Sequence, residues 1–141
     1  MIYLDSNVFF YAILYDENSY PQVHKSKQLL SDIINHNVQA CTSILTWDEI
    51  VFVVRKKIGI DESIRAGEKF LSFPNMRFIE PVHEILTIAQ DFITSYKIRP
   101  RDAIHAASAY HHGAKTIISD DSDFDCMNEI QRISLQEYSL Q

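Results

Sequence analysis

Short apolar runs alternate with longer amphipathic stretches along the whole chain. Ile2-Tyr3-Leu4, Val38 to Cys41, Met76 to Ile79, Thr116 to Ser119 and Ile130 to Leu135 read as five short strands. Six helical stretches lie between them. The first covers residues 8–15, capped by Ser6 or Asn7, and a polar loop from Asp16 to Tyr20 follows. Pro21 sits in the first turn of a second helix running to about His36, with Val23, Leu29, Leu30, Ile33 and Ile34 on its buried side. Thr42 or Ser43 caps a third through Lys57, closed by Gly59, and Asp61 caps a fourth that ends before Pro74. The fifth runs from Val82 or His83 to Tyr96, and Pro100 opens a sixth that ends at Gly113. Buried strands alternating with helices predict an α/β fold, a three-layer sandwich around a central, mainly parallel five-stranded sheet.

A length of 141 residues suits one domain spanning 1–141. The longest apolar run, Val8 to Tyr15, falls well short of the roughly 20 residues that span a bilayer. No basic residue precedes Asp5, so the start does not read as a secretory signal. Two cysteines, Cys41 and Cys126, supply neither a disulfide framework nor a zinc ligand set. The expectation is a cytoplasmic protein with no membrane contact. With 13 Lys and Arg against 19 Asp and Glu, the net charge of −6 argues against a basic nucleic-acid coat.

The charges are unevenly placed. Asp120, Asp121, Asp123 and Asp125 crowd six positions, while Arg55-Lys56-Lys57 and the pair Arg99 and Arg101 form basic spots. In parallel α/β sheets, ligands bind beyond the carboxyl ends of the strands, near the point where strand order reverses. Asp5 ends the first strand, and Asp120 and Asp121 end the fourth. Glu49 lies early in the helix after the second strand, and Asp102 at the start of the helix feeding the fourth. Four carboxylates from distant parts of the chain can therefore meet. Two unit charges 4 Å apart repel by roughly 4 kcal/mol at a protein surface. A divalent cation relieves that repulsion, and an all-oxygen ligand set suits Mg²⁺ or Mn²⁺.

Each residue also has a plainer use. Asp102 suits a helix cap, Asp5 an Asx-turn, and Glu49 a solvated helix face. A calcium loop is excluded, because Cys126 and Arg132 occupy the positions of its glycine and final glutamate. His105 reads as a packed helix histidine, and His111 and His112 as favouring a helix C-terminus. Trp47, Phe52 and Val53 read as core, and Asp48 faces away from Glu49.

Four segments together resemble the acidic motifs of PIN-domain nucleases: Asp5-Ser6-Asn7-Val8 after Ile2-Tyr3-Leu4, Trp47-Asp48-Glu49-Ile50, Arg101-Asp102-Ala103-Ile104-His105-Ala106-Ala107, and Ile118-Ser119-Asp120-Asp121-Ser122-Asp123-Phe124. Their spacing is most similar to the small VapC-type toxins of toxin–antitoxin modules, over nearly the whole chain. The resemblance implies a Mg²⁺- or Mn²⁺-dependent endoribonuclease that hydrolyses RNA phosphodiesters, a small antitoxin partner and a homodimer. It implies that Asp5, Glu49, Asp102 and Asp121 are catalytic and hold metal, with Asp123 as a further ligand. Ser6 and Ser119 match the small hydroxyl positions beside the site, and Asp120 stands where the family often has another polar residue. Arg99 and Arg101 are expected to contact substrate phosphate or else to pair at the surface. The rival functions are a housekeeping PIN nuclease in RNA processing and a non-catalytic RNA- or protein-binding module. A phosphatase using Asp5 as nucleophile ranks low, since Asn7 stands where its second Asp would be.

Overall fold

The computed structural model describes residues 1–139. Strands β1 (Ile2–Leu4), β2 (Ala40–Ser43), β3 (Met76–Ile79), β4 (Thr116–Ile118) and β5 (Gln131–Ile133) form one sheet in the order β3-β2-β1-β4-β5. Every pairing is parallel. Parallel neighbours need long crossovers, and helices supply three of them. They are α1 (Ser6–Leu14) and α2 (Pro21–Ile34) before β2, α3 (Thr46–Lys57) and α4 (Ile60–Leu71) before β3, and α5 (His83–Tyr96) and α6 (Pro100–His111) before β4. A short 3-10 turn (Ser122–Cys126) precedes β5.

Successive strand residues point to opposite faces, and this divides the core in two. Tyr3, Cys41 and Ile117 pack with Ile85, Ala89 and Phe92 of α5 and Ala103, Ala106 and Ala107 of α6. Leu4, Ala40 and Ile118 pack on the other face with residues of α1 to α4, among them Phe9, Leu29, Ile50 and Phe70. The sheet is thus the middle of three layers, as the alternating pattern predicts. From β1 the chain steps outward through β2 to β3, then returns to add β4 on the other side. The switch point falls between β1 and β4, beside Asp5, whose amide bonds to the carbonyl of Ile118 at 3.1 Å.

Several boundaries differ from the sequence expectation. β2 lies two residues later than Val38 to Cys41, taking Thr42 and Ser43 into the sheet instead of leaving them as helix caps. Both are fully buried because their polar atoms have partners: Thr42 Oγ1 donates to the Leu4 carbonyl at 2.9 Å, and the Ser43 amide donates to the Tyr3 hydroxyl at 2.9 Å. Helix α3 consequently starts at Thr46 with no side-chain cap. Gly59, not Asp61, caps α4, at φ 145° and ψ 178°, a conformation that essentially only glycine adopts. On α2, Ile34 is exposed rather than buried. Phe52 is 60% exposed and Trp47 39%, so neither is the core residue expected. Trp47 instead covers Gly67, where a Cβ would come within 2.9 Å of its indole nitrogen, which fixes how closely α3 and α4 approach. No described helix is long and apolar enough to cross a membrane.

Candidate active site

Asp5 is itself the N-cap of α1, replacing Ser6 and Asn7 in that role. Its position at the end of a central strand and the start of a helix buries it, and donors surround both oxygens. Oδ1 accepts from the Ser6 amide at 2.7 Å, while Oδ2 accepts from Ser119 Oγ at 2.6 Å and Asn7 Nδ2 at 3.0 Å. The cap reading and the site reading therefore describe one residue. Ser119 also receives the Asp121 amide at 3.0 Å, tying the end of β1 to the loop after β4.

Glu49 reaches the same region from the first turn of α3. Its Oε2 accepts from Ser6 Oγ at 3.0 Å and its Oε1 lies 2.5 Å from His105 Nε2. Asp102 stands in the first turn of α6, whose N-cap is Arg99, so Asp102 is not the cap. Asp121 caps the 3-10 turn, accepting the Asp123 amide at 3.0 Å. Asp5, Glu49, Asp102 and Asp121 all line one cleft of about 620 Å³ with Ser6, Asn7, Phe10, Arg99, Pro100 and Arg101.

At and beside this cleft the acids form two groups. Asp102, Asp121 and Asp123 each offer an oxygen, and these three atoms lie within 4.8 Å of one another. Arg99 holds them: its guanidinium is 3.0 Å from Asp102, 2.7 Å from Asp121 and 3.3 Å from Asp123. Asp5 and Glu49 form an inner pair bridged by Ser6 Oγ, with His105 Nε2 3.7 Å from Asp5 Oδ1. Burial pushes the Asp102 carboxyl above its ordinary pKa, against the pull of Arg99. Burial also acts to raise Glu49, but the hydrogen bonds and charge of His105 and the Ser6 hydroxyl outweigh it and leave Glu49 below its ordinary value.

The other predicted residues are engaged at the cleft rim or away from it. Arg101 pairs with Asp48 at 3.2 Å on the cleft rim. Asp120 accepts the Leu135 amide at 3.0 Å and anchors the chain beyond β5. Asp125 is bound through both oxygens by Arg132. Sequence reading missed two contributors. Asn7 links Asp5 to Ser119, with both contacts at 3.0 Å. Tyr3 stands behind His105, its hydroxyl 2.7 Å from Nδ1. Strand alternation places Tyr3 on the α6 face, a signal that identifies a core residue but not the partner of its hydroxyl.

An all-oxygen donor set that already holds one cation has the chemistry to bind Mg²⁺ or Mn²⁺. Residues 2–129 match the family described as PIN domain. The chain is 22% identical to Ribonuclease VapC6 of Methanocaldococcus jannaschii, over 94% of this chain and 95% of that one. Among solved structures it is similar to FitAcB from Neisseria gonorrhoeae, with a TM-score of 0.75 at 18% identity, covering 98% of this chain and 100% of that chain. It is also similar to VapC20 of Mycobacterium tuberculosis, a Sarcin-Ricin loop cleaving toxin, with a TM-score of 0.73 at 15% identity, covering 93% and 99%. VapBC2 from Rickettsia felis gives a TM-score of 0.72 at 20% identity, covering 95% and 98%. These structural likenesses show the fold.

Proposed function

The chain belongs to the PIN domain family, and we propose on that premise that it is a metal-dependent endoribonuclease acting as the toxin of a toxin–antitoxin pair. The observation that carries this reading is the convergence of Asp5, Glu49, Asp102 and Asp121, from four separate elements, on one cleft. The curated ribonuclease relative supports the substrate class, and the toxin structures of the same fold support the biological setting.

Asp5, Glu49, Asp102, Asp121 and Asp123 would hold Mg²⁺ or Mn²⁺, with the three aspartates of the outer group on one side and Asp5 and Glu49 on the inner side. The chemistry such an ion would supply there is a nucleophilic water at neutral pH and stabilisation of charge on a scissile phosphate. The protein's part is positioning. Ser6, Asn7 and Ser119 fix the Asp5 carboxylate, and Ser119 fixes Asp121 relative to it. Arg99, exposed at the cleft mouth, is placed to receive a phosphate once it leaves the acids, and Arg101 flanks it. His105 stands buried behind Glu49, and both of its ring nitrogens are engaged, by Tyr3 and by Glu49.

A neutralising antitoxin segment would suit this cleft by presenting an Arg or Lys to the carboxylates, as Arg99 does within the chain. The purified protein should cleave RNA with Mg²⁺ or Mn²⁺, stop when the metal is chelated, and resume when it is restored. Cleavage that persists in full under chelation would overturn the metal-led reading, and no cleavage of any RNA would favour the binding module.

A further inference from the structure

We propose that His105 is a positioning residue for the acidic cleft, holding Glu49 in one orientation through an imidazole whose own orientation and tautomer are set by Tyr3. The proposal rests on the nuclease reading above and assigns a second layer of residues behind its carboxylates.

His105 sits on α6 at 2% exposure, among alanines that supply the packing on that face. Packing alone would not need two bonded ring nitrogens at such a position. The bonded chain through this side chain joins four elements: Ser43 of β2 to Tyr3 of β1, Tyr3 to His105 of α6, and His105 to Glu49 of α3. The Ser43 amide donates to the Tyr3 oxygen at 2.9 Å, so the hydroxyl proton of Tyr3 is left to donate to His105 Nδ1 at 2.7 Å. With Nδ1 accepting, the proton of the neutral ring lies on Nε2, which donates to Glu49 Oε1 at 2.5 Å. The other Glu49 oxygen accepts from Ser6 Oγ. Both oxygens are therefore held, and the carboxylate cannot rotate without breaking one of these bonds. Their free lone pairs remain the only ones a cation could use.

Partners behind metal ligands set the orientation of those ligands, and their loss typically costs about 10- to 100-fold in metal affinity. The arrangement here is the carboxylate counterpart of that rule: Tyr3 orients the histidine, and the histidine orients the acid. Tyr3 and His105 touch neither RNA nor the reacting phosphate in this scheme, so they act through Glu49, the acid that His105 bonds.

The test is Mn²⁺ titration by calorimetry on the full chain, alongside nitrogen-15 NMR of the imidazole in metal-free protein. At alkaline pH, where the ring is neutral, wild type should show a proton-bearing Nε2 and a bare Nδ1. Tyr3→Phe, which deletes only a hydroxyl, should lose that fixed tautomer and bind Mn²⁺ about tenfold more weakly. His105→Phe should lose more, and His105→Gln, whose amide can still donate to Glu49, should recover part of the affinity. A merely structural role would lower the melting temperature but leave the Mn²⁺ affinity of the folded fraction unchanged, and that outcome overturns the proposal. If His105→Phe does not fold, Tyr3→Phe and His105→Gln decide by the same readout. Absence of Mn²⁺ binding by wild type would instead remove the metal reading itself, a failure distinct from variants that bind as tightly as a binding-competent parent.

Discussion

Arg99 Nη2 lies 2.7 Å from Asp121 Oδ2, and the same guanidinium bridges Asp102 and Asp123. The chain thus carries its own cation on the acids proposed to bind metal, and the two cannot share the place. Arg99→Gln should bind Mn²⁺ more tightly in calorimetry and yet cleave RNA less well, through a higher KM, because a phosphate contact is lost. Unchanged Mn²⁺ affinity would show that Arg99 does not stand where the ion binds.

Charge removal separates the site acids from their neighbours. Asp5→Asn and Asp121→Asn should lower RNA cleavage by orders of magnitude, whereas Asp48→Asn and Asp125→Asn should stay within a few-fold of the parent. Both oxygens of Asp5 accept from donors, so an amide at that position would set its nitrogen against one of them. Asn7 can answer by turning its own amide, because its Oδ1 is buried without a protein partner. The Asp5→Asn protein should therefore stay folded, and its circular dichroism and melting curve check this. Near-normal cleavage by both site variants would contradict the shared cleft.

Metal should stabilise the native state by mass action. At a hundred times its Kd, an ion bound only by the folded protein adds about 2.7 kcal/mol, which raises the melting temperature by several degrees in a chain of this size. Differential scanning fluorimetry with and without millimolar Mn²⁺ measures the rise. It should vanish in Asp121→Asn and should persist in Asp48→Asn.

The buried pair gives the metal-free protein a stability maximum on the acid side of neutrality. Glu49 is held below its ordinary value of 4.5, so its contribution is present above that pH and is lost as pH falls through the depressed folded value. Burial alone would lower His105, but the hydrogen bond to Glu49 and the charges of Asp5, Glu49 and Asp102 raise it above 6.5. Its contribution is present below 6.5 and is lost as pH rises through the raised folded value. Melting temperatures across a pH series should fall on both sides, and Glu49→Gln should flatten both falls. A wild-type melting temperature that climbs steadily on the alkaline side would contradict the pairing.

Strand and helix order were legible because each buried strand of this parallel sheet is a compact apolar run between helices of amphipathic period. The β2 boundary was not, because Thr42 and Ser43 look like caps until their hydroxyls and amides find partners on Tyr3 and Leu4. The acids were legible at strand ends and helix starts, since the fold class itself places ligands there. Their division into an inner pair and an Arg99-bound trio depends on side-chain reach across elements, which spacing along the chain does not encode. Phe52 shows the converse limit: an apolar residue on an amphipathic helix reads as core, yet it lies at 60% exposure on α3.

The bond between Ser119 and Asp5 joins residues 114 positions apart, and this has a consequence in time. During synthesis at about 5–20 residues per second, Asp5 is added to the chain about 6–23 seconds before Ser119. Until then β1 lacks its β4 neighbour, Asp5 lacks one of its clamps, and Asp121 does not exist. A growing chain can therefore carry the first acid of the cleft while remaining unable to cut RNA. The topology acts as a clock on the activity, withholding it until β4 and the loop that follows it have been made.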